Sequence, residues 1–122
     1  MKKLALLFVL VLALAGCGGG EDGVATLKVT RDHGRQVLLT ERVPAGLTAM
    51  QALQRKAEVK TSYGGRFVES INGLASAPNR DWFYFIDGVL GDRSAVEVRL
   101  HDGDVELWDY RRWSDPGEVQ KP

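Results

Sequence analysis

One cysteine and two histidines are too few for most of the chemistry that proteins build from those side chains. Cys17 has no second thiol to pair with, which excludes an intramolecular disulfide and a cysteine-rich zinc site. His33 and His101 lie far apart, at no spacing that puts two imidazoles on one metal. The sequence also has no Gly-x-Ser-x-Gly elbow and no phosphate-cradling glycine loop. With these missing, the chain is expected not to be an enzyme. An excess of charge is absent too, since sixteen Lys and Arg balance sixteen Asp and Glu. No basic stripe argues for nucleic acid. The one continuous apolar run, residues 4–14, falls short of the roughly 20 residues that span a bilayer.

What surrounds that run gives it a purpose. Met1-Lys2-Lys3 is a short positive segment, residues 4–14 are uniformly apolar, and Leu14-Ala15-Gly16-Cys17 resembles the lipobox of bacterial lipoproteins. The resemblance implies that residues 1–16 are a signal peptide and that the Cys17 sulfur carries a diacylglyceryl group on the first mature residue. The alternative is a buried core helix or an uncleaved anchor. On the lipoprotein reading residues 17–23 form a lipidated cysteine and a glycine-rich tether, with a reach of about 20 Å. The domain then sits on the extracytoplasmic face of the cell membrane, or of an outer membrane where there are two. Loss of Lys2 and Lys3 leaves fourteen cations against sixteen anions.

The remaining chain of about 105 residues is enough for one domain. Residues 24–30 alternate Leu27 and Val29 with Thr26 and Lys28, the period of a half-buried strand. The polar, glycine-bearing Arg31-Asp32-His33-Gly34-Arg35 then leads into the apolar, β-branched residues 36–43, which predicts a hairpin. Thr48 with Gln51 three residues on makes a capping box, followed by Met50, Leu53 and Ala57 on one face of a helix of about ten residues. Further strands are expected over residues 66–71, 82–86 and 104–110, with turns at Asn72-Gly73, Asp87-Gly88 and Asp102-Gly103. Val96, Val98 and Leu100 form either a strand or an extended crossing. Hairpin, helix, then strands is the order of an α+β, ubiquitin-like β-grasp, a mixed sheet packed on one helix. A small all-β sandwich is the alternative. The domain is expected over residues 24–113 and a disordered tail over 114–122.

The stretch from Gly64 to Gly73, containing Phe67, Ser70, Asn72 and Gly73, resembles the transcobalamin-like C-terminal domain when taken with three further pieces. These are Trp82 to Asp87-Gly88, then Gly103-Asp104, then Trp108 and Tyr110. That family is otherwise a domain of unknown function in bacterial surface proteins. The resemblance implies a ubiquitin-like fold and a part in closing over a corrinoid. In the animal carriers a much larger helical domain holds that ligand, and this chain has none.

Every aromatic residue of the expected mature chain lies from Tyr63 onward. In the Trp82 strand Phe83 and Phe85 alternate with Trp82, Tyr84 and Ile86; in the last strand Val105 and Leu107 alternate with Glu106, Trp108 and Tyr110. Purely apolar side chains are expected against the helix, and amphipathic rings where one end is wet. Trp82, Tyr84, Trp108 and Tyr110 are therefore an expected aromatic platform on the open sheet face, unless they simply thicken the core. Glu69 shares a face with Phe67 and Ile71 and needs a partner if that face is buried. His101, Asp102 and Asp104 form either a small hard-metal or acid–base site or, more simply, a turn capped by aspartates. Arg111-Arg112 is either solvated or touches lipid headgroups.

Two functions remain open. One is a membrane-anchored accessory module that binds a planar small ligand such as a corrinoid, without any catalytic cofactor, and hands it to a membrane transporter or surface protein. The other is an envelope protein–protein interaction module with no small ligand.

Overall fold

The structure, a computed structural model, describes residues 22–112. Cys17, the expected signal peptide and the expected tail lie outside the described residues. Strand β1, Val24–Arg31, pairs antiparallel with β2, Gln36–Pro44, as the expected hairpin. Asp32, His33 and Gly34 at its tip all take positive φ. Helix α1, Ala49–Lys56, starts at the expected capping box. Thr48 Oγ1 accepts the Gln51 N–H at 3.1 Å, and Gln51 Oε1 accepts the Thr48 N–H at 2.9 Å. The helix is shorter than its period implied, because Ala57 is already extended at φ −143°.

Beyond α1 the chain forms two sheets rather than one. Strands β3 (Val59–Ser62), β4 (Phe67–Ile71) and β5 (Leu74–Ala75) make a small antiparallel sheet. Strands β6 (Arg80–Ile86), β7 (Val89–Leu90) and β8 (Val105–Arg112) join the hairpin in a five-stranded sheet of order β2-β1-β8-β6-β7. Its central β1–β8 pair is parallel and its other pairs antiparallel. A 3-10 turn at Ala95–Glu97 precedes an extended crossing that touches Thr48 through Arg99. The architecture is α+β, mostly strands with one helix on a mixed sheet.

The register decides which side chains share a face. Leu27, Glu106 and Ile86 align across the sheet, as do Val29, Trp108 and Tyr84, then Arg31, Tyr110 and Trp82. Ala25, Leu27 and Val29 of this face are buried in one core with Ala49, Met50, Ala52 and Leu53 of α1. Trp82, Tyr84, Trp108 and Tyr110 thus lie together, but on the helix side and buried, not on an open face. The expected platform is corrected accordingly, and so is the placing of Phe83, Phe85, Val105 and Leu107 against the helix.

The reason is that the polar tips find acceptors inside the protein. Trp82 Nε1 donates to the Leu74 carbonyl at 2.9 Å and Tyr110 Oη to the Ala75 carbonyl at 2.7 Å, both on β5. Tyr84 Oη donates to the Arg93 carbonyl and Trp108 Nε1 to Glu106. With those bonds made, burial of each ring contributes on the order of 2–3 kcal/mol.

On the reverse face Asp109 is fully buried and gathers the hairpin tip onto β8. It accepts from Thr30 Oγ1 at 2.6 Å, the His33 N–H at 3.0 Å, the Gly34 N–H at 3.1 Å and Arg111 Nε at 2.7 Å. Arg111, expected at the surface, is instead fully buried and stacks over Phe85 at 4.9 Å.

Candidate functional site: a cleft along the edge of β6

Two strands that stop early create the site. After the Asp87-Gly88 turn, with φ of 50° and 81°, β7 runs for two residues and ends where Gly91 lies on the Tyr84 ring. A Cβ at Gly91 would stand 2.2 Å from Tyr84 Cζ, so only glycine lets the backbone pass so close. The Gly91 N–H closes the last rung on the Tyr84 carbonyl at 2.9 Å. In the second sheet, β5 ends just as early, and its continuation bonds to β4 last through the Ser76 N–H and the Glu69 carbonyl, at 2.8 Å. The outer edge of β6 before Tyr84 and the edge of β4 at Phe67 and Val68 are left facing a common space.

That space is a cleft of about 380 Å³. Trp82, Tyr84 and Trp108 form one wall, Phe67 and Val68 another, and residues 90–95 close the end. Tyr84 and Trp108 stack at 5.0 Å and 27°, while Trp82 packs on Tyr110 at 5.1 Å. At the rim Phe67 is 52% exposed and meets the more exposed Tyr63 edge-on at 5.6 Å. Tyr110 is turned beneath β5 and does not line the cleft.

The two cations that line it are paired. Arg66 pairs with Glu97, and Arg93 Nε lies 3.2 Å from Asp92 Oδ1. Asp81 accepts from Ser76 Oγ and from the Trp82 N–H, each at 2.7 Å. Burial, with the Asp92 carboxylate adding to it, pushes the Tyr84 hydroxyl up to about 12, so it stays a donor. Behind Trp108, burial pushes Glu106 up to about 8 even though the indole N–H bonds to it.

The other residues singled out from sequence hold turns. Asn72 and Gly73 have φ of 49° and 85°, and Asn72 Oδ1 accepts the Glu58 N–H at 2.8 Å. Asp87 Oδ1 accepts the Val105 N–H at 2.8 Å, while Asp104 Oδ2 accepts the His101 N–H at 2.7 Å beside Gly103. Asp102 Oδ1 accepts the Val24 N–H at 2.9 Å. His101, Asp102 and Asp104 therefore belong to an aspartate-capped turn, and among the described residues no group of three ligating side chains could hold a metal ion. Ser70 is buried on β4 and Glu69 is exposed, so Glu69 needs no partner. Phe67, part of the Gly64 to Gly73 stretch, stands at the cleft rim rather than in a turn, and Gly91 belongs to none of the motifs. The sequence signal for Gly91 is a glycine two residues after Val89, too soon for a full strand.

No curated protein matches the chain. Among solved structures, one from Ruminococcus gnavus ATCC 29149, described as a "putative metal binding protein", is similar, with a TM-score of 0.57 and 12% identity. The likeness covers 75% of this chain and 98% of that one, and at this identity it is a likeness of fold alone. The family model described as "Domain of unknown function (DUF4430)" matches residues 46–112, which take in α1, the second sheet and every strand that borders the cleft. The chain belongs to the DUF4430 family.

Proposed function

We propose that this protein is a non-catalytic accessory binding module, anchored to a membrane by lipid on Cys17, whose ligand enters the cleft beside β6. The observation that carries this reading is the aromatic-walled cleft itself. Its volume of about 380 Å³ lies at the lower end of ligand sites, which run from roughly 300 to 1,000 Å³. Its walls suit a flat, largely apolar group, and its charged rim suits the polar edge of such a ligand. A corrinoid, implied by the resemblance to the transcobalamin-like domain, would place one edge of its ring there and leave the rest to a partner. The parallel β1–β8 pair flanked by a hairpin and a crossing helix further supports reading the fold as a β-grasp. The metal in the neighbour's description is not part of this proposal.

Equilibrium dialysis of the full chain against cobalamin tests the ligand. Retention that is lost in Phe67→Ser, a change at the exposed rim, is the expected result. No retention at high micromolar concentration would remove the corrinoid form of the proposal. A second reading, a module that docks another protein at the envelope, is favoured by one observation, the uncovered backbone edge of β6.

A further inference from the structure

The backbone of β6 alternates its bonding direction, and its outward half is incomplete. The Trp82 N–H is taken by the Asp81 carboxylate and the Tyr84 carbonyl by the Gly91 N–H, so residues 82 and 84 point their peptide groups away from β8. Among the described residues, no backbone group pairs with the Trp82 carbonyl or the Tyr84 N–H on that outward side. These two groups flank Phe83 and open along the cleft that the Trp82, Tyr84 and Trp108 rings wall.

We infer that the cleft binds an uncharged, extended segment of another polypeptide, which adds a strand parallel to β6 and places a large apolar side chain against Trp82, Tyr84 and Trp108. This rests on the cleft being the binding site and deepens the second reading of it, with a polypeptide in place of a planar ligand. One residue laid beside Phe83 would donate its N–H to the Trp82 carbonyl and offer its carbonyl to the Tyr84 N–H, as in a parallel ladder. Its own side chain follows Phe83 to the reverse face, so the residues on either side of it enter the cleft. Charge matching selects an uncharged segment. Arg66, Arg93, Asp81 and Asp92 line the cleft as two cations and two anions, with Arg66 paired to Glu97 and Arg93 to Asp92. An additional fixed anion there would find no unmatched cation, and an additional cation would meet only Asp81, whose Oδ1 already accepts from Ser76 Oγ and the Trp82 N–H.

The test uses the full chain and an acetylated, amidated hexapeptide of alternating threonine and phenylalanine. Hydrogen exchange at the Tyr84 amide is expected to slow on binding. A scan of single N-methylations along the peptide is expected to weaken binding about tenfold at every second position and little between. Phe67→Ser, a change at the half-exposed rim whose urea transition is checked alongside, should weaken binding while leaving the N-methyl pattern intact. Binding with no two-residue pattern, or an unchanged Tyr84 amide at saturating peptide, would overturn the inference. If cobalamin is retained while the peptide leaves the Tyr84 amide unchanged, the peptide inference falls and the cleft stands as a small-ligand site. If neither binds, both readings fall.

Discussion

Glu106 sits fully buried on β8, with Oε2 on the Trp108 indole and, among the described residues, no partner for Oε1. Its carboxyl titrates near 8 in the folded protein and near the ordinary 4.5 once unfolded. Between those values the folded state keeps a proton that the unfolded state has released, so stability falls as pH rises from about 4.5 to about 8 and levels off beyond. At about 1.4 kcal/mol per pH unit the loss is at most several kcal/mol. Glu106→Gln keeps an acceptor for the indole, and is expected to flatten that slope and to exceed the parent in stability above about pH 8. Thermal midpoints measured across this range check it; an undiminished slope in the variant would assign the titration to another group. Gly91→Ala is expected to cost roughly 1–3 kcal/mol in urea unfolding and to displace the loop that ends the cleft, because its Cβ has only the Tyr84 ring to enter. Residues with local demands were legible from sequence, as at Asn72-Gly73 and Asp87-Gly88, where positive φ selects the residue types. The demand on Gly91 comes from a ring seven positions earlier, and no local pattern announces it.

Among the elements, α1 depends on its start, being only eight residues long. Thr48→Ala removes the acceptor for the Gln51 N–H and is expected to lower stability by about 1 kcal/mol in the same assay. The hairpin tip depends on Asp109 instead. Asp109→Ala leaves the fully buried Arg111 without the carboxylate 2.7 Å from its Nε, and the expected loss is about 3–5 kcal/mol. A loss below about 1 kcal/mol would mean that the Asp109 bonds contribute little to holding the tip. The long strands β1, β2, β6 and β8 could be read from alternation or aromatic density, since each is held by its own side chains. Strands β3, β5 and β7 could not, because two to four residues carry too little period and exist only through pairing with a neighbour. That omission also misdirected the aromatic rings, whose buried tips rely on carbonyls from β5 and from the loop after β7.

For the molecule as a whole, the proposed anchor predicts that Cys17→Ser moves the protein from the membrane fraction to the soluble one, with its urea transition unchanged. A variant that stays with the membrane would overturn the lipid attachment. The position of β8 carries a different consequence. It is the last strand among the described residues, yet it lies in the middle of the large sheet, between β1 and β6. Deleting residues 105–112 is therefore expected to abolish cooperative unfolding rather than to trim an edge, as a denaturant titration would show. During synthesis, β1 waits for a partner about 80 residues behind it, and pairings so distant in sequence form late. Until then the hairpin and β6 have nothing between them. In the exported lipoprotein proposed above, a centre strand supplied after all of its partners would work as a delay timer.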